Sequence, residues 1–364
     1  MTVSGPKVRD FTGTAARLPV EVVSDPFVEL LLNIFVWTTK QGPEGDAEYA
    51  VGEAWYEGVR QAASPELLAR LEQFFGIEDV WVGVVGYTLG LPAPRTVASV
   101  AKHLRTTDPI ALRRDLIVVR CAHCRPGTGN DELIDRAAAG DPAAIEQVLQ
   151  IEDCKMAEGI RRLLLMAPAE TAELFAATIE GFERDVLHGG DEIAEILERD
   201  ASHKRQLARA MDPTQLVEVA TNGVTFTPVP DVDGVVLIPS IVIRPWVMIT
   251  QDGRRRVFCY PVAEEHLIAD PDAPPSYLVA VYRALGDERR LRLLRILSEG
   301  PSGLAEITAR MDQGKSTVHH HLSILRQAGL VRITVGEDKE YSLRRDAVPE
   351  VGRMLAGFLN ENEK

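Results

Sequence analysis

The chain is expected to be an α+β protein, mainly α. A helical N-terminal domain runs into a small antiparallel β-sheet, and a C-terminal module of three helices and a hairpin follows. Three observations predict this. Apolar residues recur at three- and four-residue spacing through most of the 364 residues. β-Branched and aromatic runs concentrate between about 221 and 261. Asp270-Pro271-Asp272-Ala273-Pro274-Pro275 is a proline-stiffened linker, which divides residues 1–270 from 276–364.

In order, Leu18 to Val23 alternates like a short strand, and Ser24-Asp25-Pro26 starts a helix whose apolar run continues to Trp37. Glu29 and Asn33 interrupt that run, and it is too short to span a bilayer. Further helices are expected over Tyr49–Ala62, Pro65–Phe75, Ile77–Leu89, Thr96–Leu104 and Ile110–Val119, with Gly, Pro or Thr-Asp between them. Glu132–Ala139, Pro142–Met166, Ala169–Leu187 and Glu192–Met211 continue the helical pattern. Gly223–Val229, Gly234–Pro239, Trp246–Thr250 and Arg256–Tyr260 read as strands, the last two joined by a hairpin at Asp252-Gly253.

Hydrophobic residues make up 45% of the chain, which is ample for a core and excludes disorder. No secretory segment is evident, and four irregularly spaced cysteines fit a reducing compartment, so a cytoplasmic protein without membrane contact is expected. The net charge is −14, but it is unevenly divided. From Ser276 onward there are 14 Lys+Arg against 12 Asp+Glu, leaving 26 against 42 before it. The excess acidity lies in the N-terminal part, which should keep away from nucleic acid.

The C-terminal module carries the sharpest functional signal. Asp287 caps a helix of Leu/Ile periodicity that begins near Ala284, Gly300-Pro301-Ser302 breaks it, and Ser302 can cap a short second helix bearing Leu304, Ile307 and Met311. A third helix runs from Lys315 to Ala328 and ends at Gly329, a residue suited to a left-handed cap. Its inward stripe is Val318, Leu322 and Leu325, so Lys315, Ser316, Thr317, His319 and His320 point outward from its N-terminal end. That is the end which helix-turn-helix proteins set against base edges. Leu330–Thr334 and Glu340–Leu343 then form a hairpin, or wing, with Arg332, Lys339 and Arg344 as candidates for the DNA backbone.

Leu285-Gly286-Asp287-Glu288-Arg289-Arg290-Leu291, then Ser316 to Val331 with its His319-His320-His321, then Tyr341-Ser342-Leu343 resemble the ArsR family of bacterial transcriptional repressors over roughly the last quarter of the chain. The resemblance implies a winged helix-turn-helix and a homodimeric repressor that reads an inverted repeat in double-stranded DNA, with affinity changed by an effector. The order of segments before it is similar to a group of long ArsR-type regulators with an uncharacterised N-terminal domain, here expected to serve sensing or dimerisation. Departures from the pattern are plain. Gly314 stands where serine is usual at the recognition-helix cap, His319 replaces a frequent serine, and Glu337 and Asp338 place negative charge at the wing tip. The Cys-x-Cys pair of metal-sensing members is missing from Leu304–Met311, as are Asp/His pairs from a final helix expected over Val348–Leu359.

Other candidates lie in the N-terminal domain. Cys121-Ala122-His123-Cys124, with Cys154, offers ligands to zinc or a redox pair, giving the alternative of a metal- or thiol-responsive regulator; the same residues also read as small structural thiols. Cys259 reads as core. Trp37, Trp55, Trp81 and Tyr87 are either core or the lining of a pocket for an apolar effector. A third reading makes the domain a scaffold controlled by a partner protein. Three adjacent histidines point about 100° apart on a helix and cannot converge on one metal, so His321, between Val318 and Leu325, is expected beside the core. No hydrolase elbow, zinc-protease, Walker or dinucleotide motif occurs, so catalysis is not expected.

Overall fold

The computed structural model describes residues 18–41, 49–120, 129–151, 157–187, 190–229, 232–263, 266–267, 276–335 and 339–345, with residues 347, 349, 351, 352, 355 and 356 beyond them. The chain opens with β1 (Val20–Val22) and α1 (Pro26–Gln41). Proline suits the first helical position, and Asp25 accepts a hydrogen bond from the Phe27 amide at 3.0 Å. The same carboxylate is paired with Arg95 Nε at 2.6 Å, both side chains being buried. From Phe27 to Thr39 every residue is buried, as a helix apolar on all sides requires. The polar exceptions are satisfied internally: Thr38 and Thr39 donate back to carbonyls of Ile34 and Phe35.

Around α1 lie α2 (Gly52–Ala62), α3 (Pro65–Leu71) with a 3-10 turn at Glu72–Phe74, α4 (Val80–Leu89), α5 (Val97–Thr106) and α6 (Pro109–Arg120). Then come α7 (Asp131–Ala138), α8 (Pro142–Ile151), α9 (Ala157–Leu165), α10 (Pro168–Asp185), α11 (Gly190–Ala208) and α12 (Pro213–Ala220). Caps set several starts. Ser64 accepts from the Leu67 amide, Thr96 and Ser99 form a reciprocal capping box, and Asp212 accepts from the Thr214 amide ahead of Pro213. Of the helix expected from Pro142 to Met166, α8 and α9 are the described parts; residues 152–156 lie outside the described residues. α12 is an addition to the helices read from periodicity; eight residues are too few for a clear 3.6-residue pattern. Trp81, Phe74 and Phe175 meet in the core with ring centroids 4.6–5.2 Å apart.

Four strands, β1, β3 (Gly234–Ser240), β5 (Arg255–Pro261) and β4 (Met248–Asp252), lie side by side in that order. The sheet is mixed, where an antiparallel one was expected. Only the β4–β5 hairpin is antiparallel, turning at Gly253 with φ +56°, whereas β3 runs parallel to both β1 and β5. β3 is the reason: all seven of its residues are buried, the continuous apolar character of a central parallel strand rather than the alternation of a half-solvated one.

The strand expected to begin this sheet, β2 (Val224–Phe226), belongs to another. It pairs in parallel with β7 (Val331–Val335), Val224 opposite Ile333 and Phe226 opposite Val335. Beyond β7 lie β8 (Lys339–Leu343) and the two-residue β6 (Ser302–Gly303), in the order β2-β7-β8-β6. The helices of this C-terminal part are α13 (Ser276–Leu285), α14 (Glu288–Leu297), α15 (Leu304–Met311) and α16 (Lys315–Gln327). The helix expected to begin near Ala284 is thus two, broken at Gly286, with Asp287 capping the second. Ser302 does not cap α15; it is drawn into β6 opposite Tyr341, and Gly303 takes the cap position. The expected final helix falls largely outside the described residues. Among the described residues no helix is long and apolar enough to cross a membrane.

Two contacts lock helices to the first sheet. Gly86 of α4 lies so close to β4 that a β-carbon there would overlap the backbone oxygen of Gln251. Glu29 of α1 accepts hydrogen bonds from the backbone amides of Ile241 (3.1 Å) and Val242 (2.9 Å). Burial pushes its carboxyl up to about 7, and those amides offset only part of the shift.

Gly86→Ala should destabilise the protein by about 1–3 kcal/mol, the usual cost of overpacking, read from the urea midpoint. An unchanged midpoint would mean that α4 can move off β4 freely. A second measurement concerns pH. Because Glu29 titrates higher when folded, its protonated form contributes stability that is complete below pH 4.5 and lost as pH rises through about 7. The difference is on the order of 3 kcal/mol at about 1.4 kcal/mol per pH unit. Glu29→Gln should flatten the stability profile across that window; a Gln variant that keeps the wild-type slope would refute the assignment.

Candidate nucleic-acid interface

The C-terminal part has its own apolar core. Val281 and Ala284 of α13, Leu293 and Leu297 of α14, and Ile307 of α15 close on Val318, Leu322 and Leu325 of α16, each of the last three fully buried. The inward stripe expected of α16 is therefore present, with Leu330, Val331 and Tyr341 of the β-sheet sealing the other side. Asp287 accepts hydrogen bonds from the amides of Arg289 (2.9 Å) and Arg290 (3.1 Å), fixing the start of α14. Asp312 at φ +52° makes the tight turn into α16, and Gly329 at φ +69° ends the helix in the left-handed conformation its sequence suggested.

This packing decides which side of α16 is free. Lys315, Ser316 and His319 are exposed, and Thr317 and His320 are half-buried, all within the first turns. The helix begins at Gly314, which supplies no side-chain cap, so its first amides and the positive end of its dipole lie at the same end of the helix as Lys315. His319 has its pKa lowered below the usual value by partial desolvation first and then by the positive charges of Lys339 and Arg326 near it. Lys339, at the start of β8, is exposed. Thus α16 and the wing present cationic and hydrogen-bonding groups together. His321 is buried as expected, and burial lowers its pKa. Glu337 and Asp338 of the wing tip lie outside the described residues.

Arg332 and Arg344 are placed differently from the others. Arg332 is paired with Glu218 of α12, both partly buried, and Arg344 Nη1 donates to Asn222 Oδ1 at 3.4 Å. Both guanidinium groups are turned toward the α12–β2 segment. Sequence reasoning missed Glu218 and Asn222. The available signal was Asn222-Gly223, a pair suited to positive φ, and it adopts +51° and +106°.

The other candidates divide. Cys121, Cys124 and Cys154 lie outside the described residues, and among those described no three His, Cys, Asp or Glu side chains are grouped as metal ligands do. Cys259 is fully buried and its thiol is pushed up by burial, with Glu29 and Asp25 adding to the shift. Trp37 and Trp81 are core residues, with Trp37 against Phe75 at 5.9 Å. Trp55 and Tyr87 are half-buried at the edge of that core, with Trp55 edge-on to Tyr56 and Tyr87 Oη 2.9 Å from His103 Nε2. Two surface clefts, one along α11 and one between β1 and α12, involve none of these four aromatics.

Three helices, a buried stripe that leaves a polar helix end free, and a β-hairpin define a winged helix-turn-helix of a DNA-binding transcriptional regulator. Residues 287–332 match the family model described as bacterial regulatory protein, arsR family. A protein of Methanocaldococcus jannaschii described as an uncharacterized HTH-type transcriptional regulator is 31% identical over 77 residues, 21% of this chain and 86% of that relative. The chain belongs, through this C-terminal module, to the ArsR family of bacterial regulatory proteins. No solved structure matches it.

Replacing Asp287 by Ala should cost about 1 kcal/mol of stability through loss of the α14 cap. Chemical denaturation followed by circular dichroism measures it, and a variant as stable as wild type would show that the cap contributes nothing.

Proposed function

We propose that the protein is a dimeric repressor that reads an inverted repeat in double-stranded DNA through α16. The observation that carries this reading is the division of α16 into a fully buried stripe, Val318, Leu322 and Leu325, and an open N-terminal end bearing Lys315, Ser316, Thr317, His319 and His320. Those five residues reach base edges or the phosphates beside them, and Lys339 of the wing meets the backbone. Two copies set their recognition helices into successive major grooves about 34 Å apart. Exposed Tyr282 on α13 and Leu291 on α14 supply apolar surface for a second copy. The chain divides at the linker, so residues 1–270 form a sensor or dimerisation domain and 276–364 the DNA-binding domain. An effector bound by the first changes the placement of the second. Four irregularly spaced cysteines favour a cytoplasmic protein, and the acidity of the N-terminal part favours one in which only the C-terminal end approaches DNA.

Titrating the full-length protein against its own upstream DNA across a salt series tests the interface. Lys315→Ala should weaken binding at every salt concentration and lower the slope of log K against log salt by about one, the signature of one lost phosphate contact. Unaltered affinity and slope would show that α16 is not the recognition helix. Sedimentation of the free protein as a monomer at the binding concentrations would remove the dimer from the proposal.

A further inference from the structure

The α12–β2 segment enters the sheet of the DNA-binding module from outside it. Gly223 accepts a hydrogen bond from the Ile333 amide at 3.0 Å, and β2 continues along β7. Asn222 Nδ2 donates to the carbonyl of Gln327, at the last residue of α16, at 3.1 Å. Arg326 Nη1, from the same helix turn, reaches the carbonyl of Thr221 at 3.4 Å. With Glu218–Arg332 and Asn222–Arg344, three guanidinium groups of the module surround the C-terminal end of α12. That is the negative end of the helix dipole, and Glu218 adds a carboxylate to it. Arg326 is buried, which lowers its pKa to about 10 and leaves it charged at neutral pH. Its charge is answered by the α12 terminus rather than by solvent.

We infer that Glu218 and Asn222 are positioning residues for DNA binding. They act through Arg332, Arg344 and the end of α16, and fix the angle at which the recognition helix and wing are presented. A phosphate-binding role for Arg332 requires a free guanidinium; here that group is held by a carboxylate across the β2–β7 edge. Displacement of α12 pulls β2, the base of the wing and the end of α16 together, giving a mechanical connection from the N-terminal part to the DNA-reading surface. The inference rests on the reading of α16 as the recognition helix.

The test uses full-length Glu218→Gln, Arg332→Gln and the charge swap E218R/R332E, with DNA affinity followed across a salt series and amide exchange followed at Ile333. Each Gln variant should weaken binding by roughly threefold or more, the scale of a lost partly exposed ion pair, with the salt slope unchanged. Exchange at Ile333 should quicken in both, and the swap should restore affinity and protection. If Arg332→Gln lowers the slope by about one with Ile333 still protected, Arg332 is a phosphate contact and the inference falls. Wild-type affinity and exchange in Glu218→Gln overturn it as well. Should the swap fail to fold, the two single Gln variants still decide. If the wild-type protein binds no DNA, the recognition-helix reading fails by itself, and Ile333 exchange in the Gln variants alone determines whether the Glu218 contact holds the junction.

Discussion

The structure depends first on the complete burial of α1. A helix buried on every side from Phe27 to Thr39 stabilises the fold by about 1.5–3 kcal/mol for each large apolar side chain removed from water, but only if neighbours cover all of it. That requirement recruits α4, α10 and α11 and places the mixed sheet beside them. It also explains the polar features of the region. Asp25 and Glu29 are tolerated because the first caps the helix and pairs with Arg95, while the second receives two backbone amides and has its carboxyl pushed up to about 7 by burial. The largest core of the helical body is thus organised about one element.

The DNA-binding module follows the opposite logic. α16 buries one stripe and leaves one end uncovered, so what is unsatisfied there is available to a polyanion. Lys315 and Ser316 are left open to solvent and Thr317 is half-buried beside them, groups that DNA can engage. The contrast between the two helices separates the part of the chain that holds shape from the part that makes external contact. The −14 net charge fits this division, since the module is nearly neutral and the excess acidity lies before it.

Much of this was legible in the sequence because the relevant signals are local. The Val318, Leu322 and Leu325 stripe, the Asp287 cap, the left-handed Gly329 and the Asp252-Gly253 hairpin each depend on spacing within a few residues. What escaped was non-local. β2 looks like its neighbours in composition, yet its partner is β7, because strand pairing is chosen by which backbone edge packing brings near. The parallel placement of β3 was hidden for the same reason. Arg332 and Arg344 look like phosphate ligands beside a recognition helix, and nothing near them in sequence indicates Glu218 or Asn222. The tryptophans show a different limit, since aromatic residues at helical spacing are compatible with core and with pocket. Trp37 and Trp81 are core.

The pairing of β2 with β7 also bears on how the chain is made. β2 is synthesised roughly a hundred residues before its partner, and a contact of such long range is slow to form because the intervening loop must first be organised. During translation the helical body and first sheet can assemble while β2 still waits with an open edge, and the wing closes over it among the final steps. A regulator built this way acquires a completed DNA-reading surface only after the rest of the polypeptide has taken its shape.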